Sequence, residues 1–326
     1  MKRTVVVYHK GCPDGYGALA AVVKKEGVER LSYDGEKKVL YSDDGRFFAL
    51  PSSHSTEFKR LRELLTRFPN DEFTLYMVDF FVPGVFEVAR EFPNLKRVVV
   101  VDHHKTAKEV LERGLPPDLR DRFEVHLDLD HSAAVLAWKL LLGEVPEVMA
   151  FIEDRDLWKW EFPDSMEVLT AVDAKVFNAL EPHEVVQKLL LLTENFPKEE
   201  LAKEGRSMIE FKASVVERLV KNSAHYLVLP SGHRLLAVNS PVFQSDIGNR
   251  LAQVSPDGVA CVYSISPKEE GVFVNCSIRS VTGKAREIAQ ANGGGGHDNA
   301  AGCRVLLEEV RFEPLEVEGE KAPSGA

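Results

Sequence analysis

The sequence predicts an α/β fold: an N-terminal parallel sheet with helices on both faces, a linker helix, and a smaller C-terminal α/β domain. Three observations lead there. Residues 4–8 (TVVVY), 75–78 (LYMV) and 98–101 (VVVV) are unbroken apolar runs, the pattern of strands buried on both faces of a parallel sheet. Segments with helical apolar spacing, at 17–25 and 58–68 (FKRLRELLTRF), alternate with these runs, as α/β topology requires. Beyond residue 227 the texture changes to short strands separated by turn residues.

Between the first two strands, residues 39–41 and 47–49 flank Ser42-Asp43-Asp44-Gly45-Arg46 and read as a hairpin on the sheet edge. Helices are expected at 132–142 and 146–152, and one long charged amphipathic helix at 197–223. In the second domain, 235–238, 259–265 and 272–278 are strand candidates, and 283–291 is a helix ending in four glycines. The expected boundaries are 1–195 for the first domain, 196–225 for the linker helix, 226–316 for the second domain and 317–326 for a disordered polar tail.

The net charge of −10 over 326 residues comes without a basic stripe, which argues against a clamp for long duplex DNA. An anionic ligand then needs local positive charge from metal ions, which favours a small phosphorylated molecule over a polymer. Cys12, Cys261, Cys276 and Cys303 have neither disulfide-framework nor zinc-knuckle spacing, so a reducing, cytoplasmic setting is expected. The apolar run after Lys2-Arg3 is too short for a signal peptide, and no run approaches the roughly 20 residues of a membrane span.

Each strand-like run of the first domain ends in a metal-ligand residue type: His9, Asp79, and Asp102 followed by His103-His104. In parallel sheets ligands gather at the carboxyl ends of strands. His9, Cys12 and Asp14 crowd one glycine-rich turn, YHKGCPDGYG; the bland alternative is that Asp14 caps the following helix. Asp79 sits before Phe80-Phe81, where an unpaired carboxylate is costly, so it is a cap, an ion-pair partner or a ligand. Two adjacent imidazoles beside a carboxylate after four valines have no packing rationale and point to function. Acids recur in Glu153-Asp154-Arg155-Asp156, where an exposed turn with a self-paired arginine is the bland account. The flanking Trp158 and Trp160 read as partly buried, more in keeping with core than with a substrate platform. In the second domain, Arg279-Ser280 closes a strand, and the run Gly293-Gly294-Gly295-Gly296-His297 offers backbone N–H groups for an anion, or else a flexible loop.

These motifs together resemble the DHH phosphoesterase superfamily with its appended DHHA1 domain, of the RecJ-like or short-oligonucleotide phosphodiesterase type. The resemblance covers nearly the whole chain. Asp102-His103-His104 looks like the motif that names the family, and GGGGHDNAAG with Cys276-Ser277-Ile278-Arg279-Ser280 looks like the DHHA1 signature. What it implies is a metal-dependent phosphohydrolase in which His9, Cys12, Asp14, Asp79, His103 and Asp154 hold two ions, with Asp79 bridging and Asp156 the near alternative to Asp154. His104 would contact the substrate phosphate, with Asp102 behind it. Arg279, Ser280, Gly294, Gly295, Gly296 and His297 would hold the far end of the substrate. The implied cofactor is Mn²⁺, with Mg²⁺, Zn²⁺ or Fe²⁺ as alternatives. One departure stands out: Cys12 replaces the first acid of the family's Asp-x-Asp pair, and a thiolate shifts preference away from Mg²⁺. The expected substrates are short oligonucleotides or dinucleotides. The alternatives are polyphosphate, pyrophosphate or adenosine bisphosphate, or binding of a nucleotide without turnover. The oligomeric state stays open, a homodimer included.

Overall fold

The computed structural model describes residues 1–52 and 58–315, and the chain divides into two compact units, Met1–Met208 and Ile209–Ala326. The tail expected at 317–326 lies outside the described residues.

The first unit begins β1 (Lys2–His9), α1 (Pro13–Lys25), β2 (Leu31–Asp34), β3 (Val39–Ser42), β4 (Phe47–Ser52), α2 (Lys59–Arg67) and β5 (Glu72–Val78). It continues α3 (Val85–Glu91), β6 (Leu95–Asp102), α4 (Lys105–Leu111), β7 (Phe123–Leu127), α5 (Ala133–Leu142), α6 (Glu147–Asp156), α7 (Ser165–Val172) and α8 (Pro182–Glu194). The sheet runs β2-β3-β4-β1-β5-β6-β7, parallel from β4 through β7, with β2 and β3 antiparallel at one edge. The chain leaves β1 for β4 on one side and later enters β5 on the other, which makes the β1/β5 boundary the topological switch point, where open sheets bind ligands.

Burial explains the unbroken apolar runs. Val6, Tyr8, Tyr76, Val78, Val99 and Val101 enter one core with α1, α5, α6 and α8, while Val5, Val7, Leu75, Met77, Val98 and Val100 enter another with α2 and α3. With helices on both faces, neither parity of side chain reaches water, so alternation disappears.

The long helix α9 (Lys198–Ser223) contains the division between the units. The second unit follows with β8 (His225–Val228), β9 (Arg234–Asn239), α10 (Gln244–Val254), β10 (Val259–Lys268), β11 (Gly271–Ser280), α11 (Ala285–Gln290), β12 (Gly295–Gly296), β13 (Ala300–Leu306) and β14 (Arg311–Glu313). Its sheet order is β12-β13-β11-β10-β9-β8-β14, antiparallel except for β9 with β10. One face packs Cys261, Tyr263, Cys276 and Cys303 under α11; the other packs Ala260 and Val262 against α10 and Val216 of α9. The glycine run is not a loop throughout. Gly293 and Gly294 donate their N–H groups to the carbonyls of Gln290 and Ala289 at the end of α11, and Gly295-Gly296 pair with β13. Gly294 is required by close approach, since a Cβ there would lie 2.1 Å from the Gly302 carbonyl oxygen. Among the described residues no helix is long and apolar enough to cross a membrane.

In the first unit, α1 is held to α5 by the buried Trp138, whose Nε1–H donates to the Gly17 carbonyl at 3.0 Å. Trp138→Phe removes that donor and leaves a void, and should destabilise the protein by about 1–3 kcal/mol. A lowered urea midpoint for the far-ultraviolet signal checks this.

Candidate metal centre

The turn after β1 is built for crowding. Gly11 takes φ +66°, Cys12 is extended at the helix start, and Pro13 opens α1. Gly15 lies so close to the β1 end that a Cβ would sit 2.4 Å from the His9 carbonyl oxygen. Asp14, fully buried, does not cap its own helix. Its carboxylate accepts the N–H groups of Ala133 (2.8 Å) and Ala134 (2.9 Å), at the start of α5. Glu153 supports the same helix end by accepting the Ser132 N–H at 2.8 Å.

Asp79 follows β5 in a left-handed conformation, φ +62°, with its N–H donating to Val101 at 3.0 Å. Aspartate tolerates this region better than most residues. Its two oxygens face different imidazoles: Oδ2 lies 3.2 Å from His9 Nδ1 and Oδ1 lies 3.4 Å from His103 Nε2. His103 Nε2 also lies 3.4 Å from Asp156 Oδ2 and 3.6 Å from Asp14 Oδ2, so three carboxylates surround one ring nitrogen. Beside it, the buried Asp102 Oδ1 accepts the N–H groups of His103 (2.8 Å) and His104 (3.2 Å) and the Nδ1–H of His104 (2.7 Å).

The electrostatics reflect this density. Burial, then Asp79 and Asp156, push Asp14 well above the carboxylate range, and burial likewise raises Asp156. Burial alone would raise Asp79, but His103 and His9 outweigh it and hold that carboxyl far below its usual value. His103 is opposed by burial yet raised to about 9 by Asp79, Asp14 and Asp156. The Asp102 hydrogen bond raises His104. Burial, with Asp79 next, pushes the Cys12 thiol up.

Among the described residues three ligand groups emerge, each with donor atoms within 4.8 Å of one another: His9, Cys12 and Asp79; Asp79, His103 and His104; and Asp14, His103 and Asp156. The residues fit divalent metal. Two buried carboxylates, Asp14 and Asp79, crowded with Asp156 around one imidazole are an environment a cation relieves, and the nitrogen, sulfur and oxygen donors suit Mn²⁺, Fe²⁺ or Zn²⁺.

Of the expected site residues, His9, Cys12, Asp14, Asp79, His103 and His104 converge here, with Asp102 behind His104. Asp156, the near alternative, belongs to one of these groups; Asp154 belongs to none of them, although its Oδ2 is buried without a hydrogen-bond partner. Asp154 Oδ1 accepts the Glu161 N–H at 2.6 Å, and the Asp154 carbonyl accepts from Lys159 and Trp160, so this residue shapes the turn after α6. Nor is Arg155 paired within that turn, since both of its terminal nitrogens reach Asp173, at 2.7 and 3.1 Å. Trp158 is 75% exposed rather than part of the core. Glu153 was legible only as one more acid, because the Ser132 N–H it holds is distant in sequence.

In the second unit, Arg279 pairs in register with Ala300, alongside the turn in which His297 and Ala300 exchange backbone hydrogen bonds. The Arg279 guanidinium donates to Ser245 Oγ at 2.9 Å. Ser280 is committed locally, its hydroxyl accepting the N–H groups of Thr282 (3.0 Å) and Lys284 (3.1 Å).

The chain is thus a two-unit α/β protein with a buried acid and imidazole centre at the switch point of a parallel sheet. The Asp-His-His motif at the end of β6, assembled with the ends of β1 and β5, is similar to the motif of the DHH phosphoesterase superfamily. No protein-family model matches the chain. It is 28% identical over 313 residues, 91% of its length, to uncharacterized protein R106 of Acanthamoeba polyphaga mimivirus. It is 24% identical over 247 residues, 67% of its length, to oligoribonuclease NrnB of Bacillus subtilis. The chain spans 66% and 57% of the lengths of these two relatives. Among solved structures, the DHH domain of a member of the S1p family of ribosomal proteins covers 96% of this chain and 83% of its own, at 16% identity and a TM-score of 0.46.

Two measurements test the centre. The surrounding carboxylates raise His103 to about 9 in the metal-free protein, and a ligand imidazole must be neutral. Metal affinity measured by calorimetry should therefore rise with pH towards 9, and His103→Gln should lessen that rise; an unchanged pH slope in the variant would remove His103 from the ligand set. Among the free cysteines, Cys12 is half-buried while the other three are buried. A thiol reagent should modify Cys12 alone in the folded, metal-free protein, and Mn²⁺ or Zn²⁺ should protect it.

Proposed function

We propose that the protein is a metal-dependent phosphodiesterase that hydrolyses short oligonucleotides or dinucleotides. The observation that carries the reading is Asp79, which offers one carboxylate oxygen to His9 and the other to His103 from a strained position at the switch point. That is the disposition of a carboxylate shared between two adjacent cation sites. Divalent ions held by His9, Cys12, Asp14, Asp79, His103 and Asp156 would lower the pKa of a water and neutralise phosphate charge.

The chain's own groups supply the rest. Asp102 fixes the His104 tautomer through the Nδ1–H hydrogen bond and raises its pKa, which suits His104 to donate to a non-bridging phosphate oxygen. Asp14 is oriented by the two α5 N–H groups, so its position is set by a helix rather than by a loop. Arg279 and His297 of the second unit are the groups suited to a terminal phosphate, with Ser280 and Gly294, Gly295 and Gly296 shaping the strand and turn that carry them. The net charge of −10 supports a short substrate over a long one, and the Bacillus relative's name, an oligoribonuclease, supports a nucleic-acid substrate.

Metal-stripped protein with Mn²⁺ restored should release mononucleotides from a 5′-phosphorylated dinucleotide. Asp79→Asn should cut that rate by more than about a hundredfold, since even groups behind a ligand are worth 10–100-fold, with an unchanged circular dichroism spectrum. Turnover of polyphosphate or bisphosphate instead would reassign the substrate. Tight nucleotide binding without turnover would reassign the protein to a silent binder.

A further inference from the structure

We propose that Trp158 is a stacking platform for a nucleobase of the substrate. This rests on the phosphodiesterase reading above and deepens it by assigning a base-recognising residue in the first unit.

Trp158 lies two residues beyond Asp156, so its backbone is within about 7 Å of that of a carboxylate in the centre. It is 75% exposed, the most exposed of the large apolar side chains among the described residues. Its backbone is left-handed, φ +57°, and so is that of Trp160, φ +53°. Such a conformation costs a non-glycine residue roughly 1–2 kcal/mol, and burial of Trp158 does not offset it.

The turn is nevertheless firmly held. Trp158 N–H donates to the Arg155 carbonyl at 3.0 Å, and Lys159 and Trp160 donate to the Asp154 carbonyl at 2.8 and 3.3 Å. The Asp154 carboxylate accepts the Glu161 N–H, and Lys159 Nζ reaches the Asp130 carbonyl and Glu153 Oε1, each at 3.1 Å. Trp160 meets Trp158 in a T-shaped contact, with centroids 5.2 Å apart and planes at 81°, so the rings are not stacked and this neighbour covers at most one face of the Trp158 indole. Asp154 thereby acquires a role as the positioning residue of this turn.

Strain stored in a rigid turn beside a reactive centre, used to hold a tryptophan in water, calls for a flat π-surface as the missing partner. A nucleobase supplies one. Polyphosphate does not, so the same residue favours nucleotide over inorganic substrates.

The test compares Trp158→Ala and Trp158→Phe with the wild type in the full-length, Mn²⁺-loaded protein. The substrates are a 5′-phosphorylated dinucleotide and its abasic analogue. Trp158→Ala should raise KM for the dinucleotide about tenfold, the scale of losing one base–aromatic stack, with kcat and all constants for the abasic analogue preserved. Trp158→Phe should recover most of the loss. Equal losses on both substrates, or a loss on neither, would overturn the proposal. Should the wild type hydrolyse neither substrate, the phosphodiesterase reading fails, and quenching of tryptophan fluorescence by adenosine monophosphate then decides. Quenching lost in Trp158→Phe upholds the platform, and quenching retained there, or absent from the wild type, overturns it.

Discussion

Three carboxylates, from Asp14, Asp79 and Asp156, converge on one nitrogen of His103, and the first unit is arranged around holding them there. In a folded chain without other help, like charges at this density drive protons onto some of the acids, and Asp14 and Asp156 are indeed raised. The fold carries this unfavourable concentration through packing elsewhere, chiefly the two valine-rich layers on either side of the sheet. A site that is costly when empty and relieved by cations is a site whose stability is linked to metal, because any ion that binds only the native state stabilises it.

The sheet's connectivity decides why these residues, so far apart in sequence, meet. Since β4 and β5 flank β1 from opposite sides, the ends of β1 and β5 open on a crevice that no crossover covers. His9 and Asp79 occupy those two ends, and β6 adds Asp102 and the histidines next to β5. The close approach of α1 to β1, possible only because residue 15 lacks a Cβ, brings Cys12 and Asp14 to the same opening.

Much of this was legible in the sequence because the signals were local. Unbroken β-branched runs announced β1, β5 and β6, and the helical spacing of α1, α2 and α9 survived into the structure with ends shifted by a few residues. The half-buried edge strand β7, whose FEVHL segment mixes acid, imidazole and apolar residues, gave no such signal. Nor did α8, which is announced instead by Pro182 and the reciprocal bonds of Glu181 and Glu184. In the centre, the ligand-rich strand ends could be read directly, but the choice between Asp154 and Asp156 could not. Two acids so close in sequence are interchangeable in spacing; in the fold Asp156 lies against His103, while Asp154 gives one oxygen to the Glu161 N–H and keeps the other buried without a hydrogen-bond partner.

Asp14 shows why a residue's role in such a centre cannot be divided into structural and chemical parts. The sequence offered a cap on the following helix or a metal ligand; the structure instead sets the carboxylate on a distant helix, α5, and against His103. Its carboxylate completes the N-terminus of α5, where two amide N–H groups and the helix dipole favour negative charge. The same Oδ2 that accepts from Ala133 lies 3.6 Å from His103 Nε2. The helix therefore does for Asp14 what Asp102 does for His104: it fixes orientation from behind and biases the charge state from a distance. Because α5 is itself locked to α1 through Trp138 and Gly17, the position of the first acid in the centre is set by the packing of two helices, and the core that makes the fold stable also sets the geometry of its chemistry.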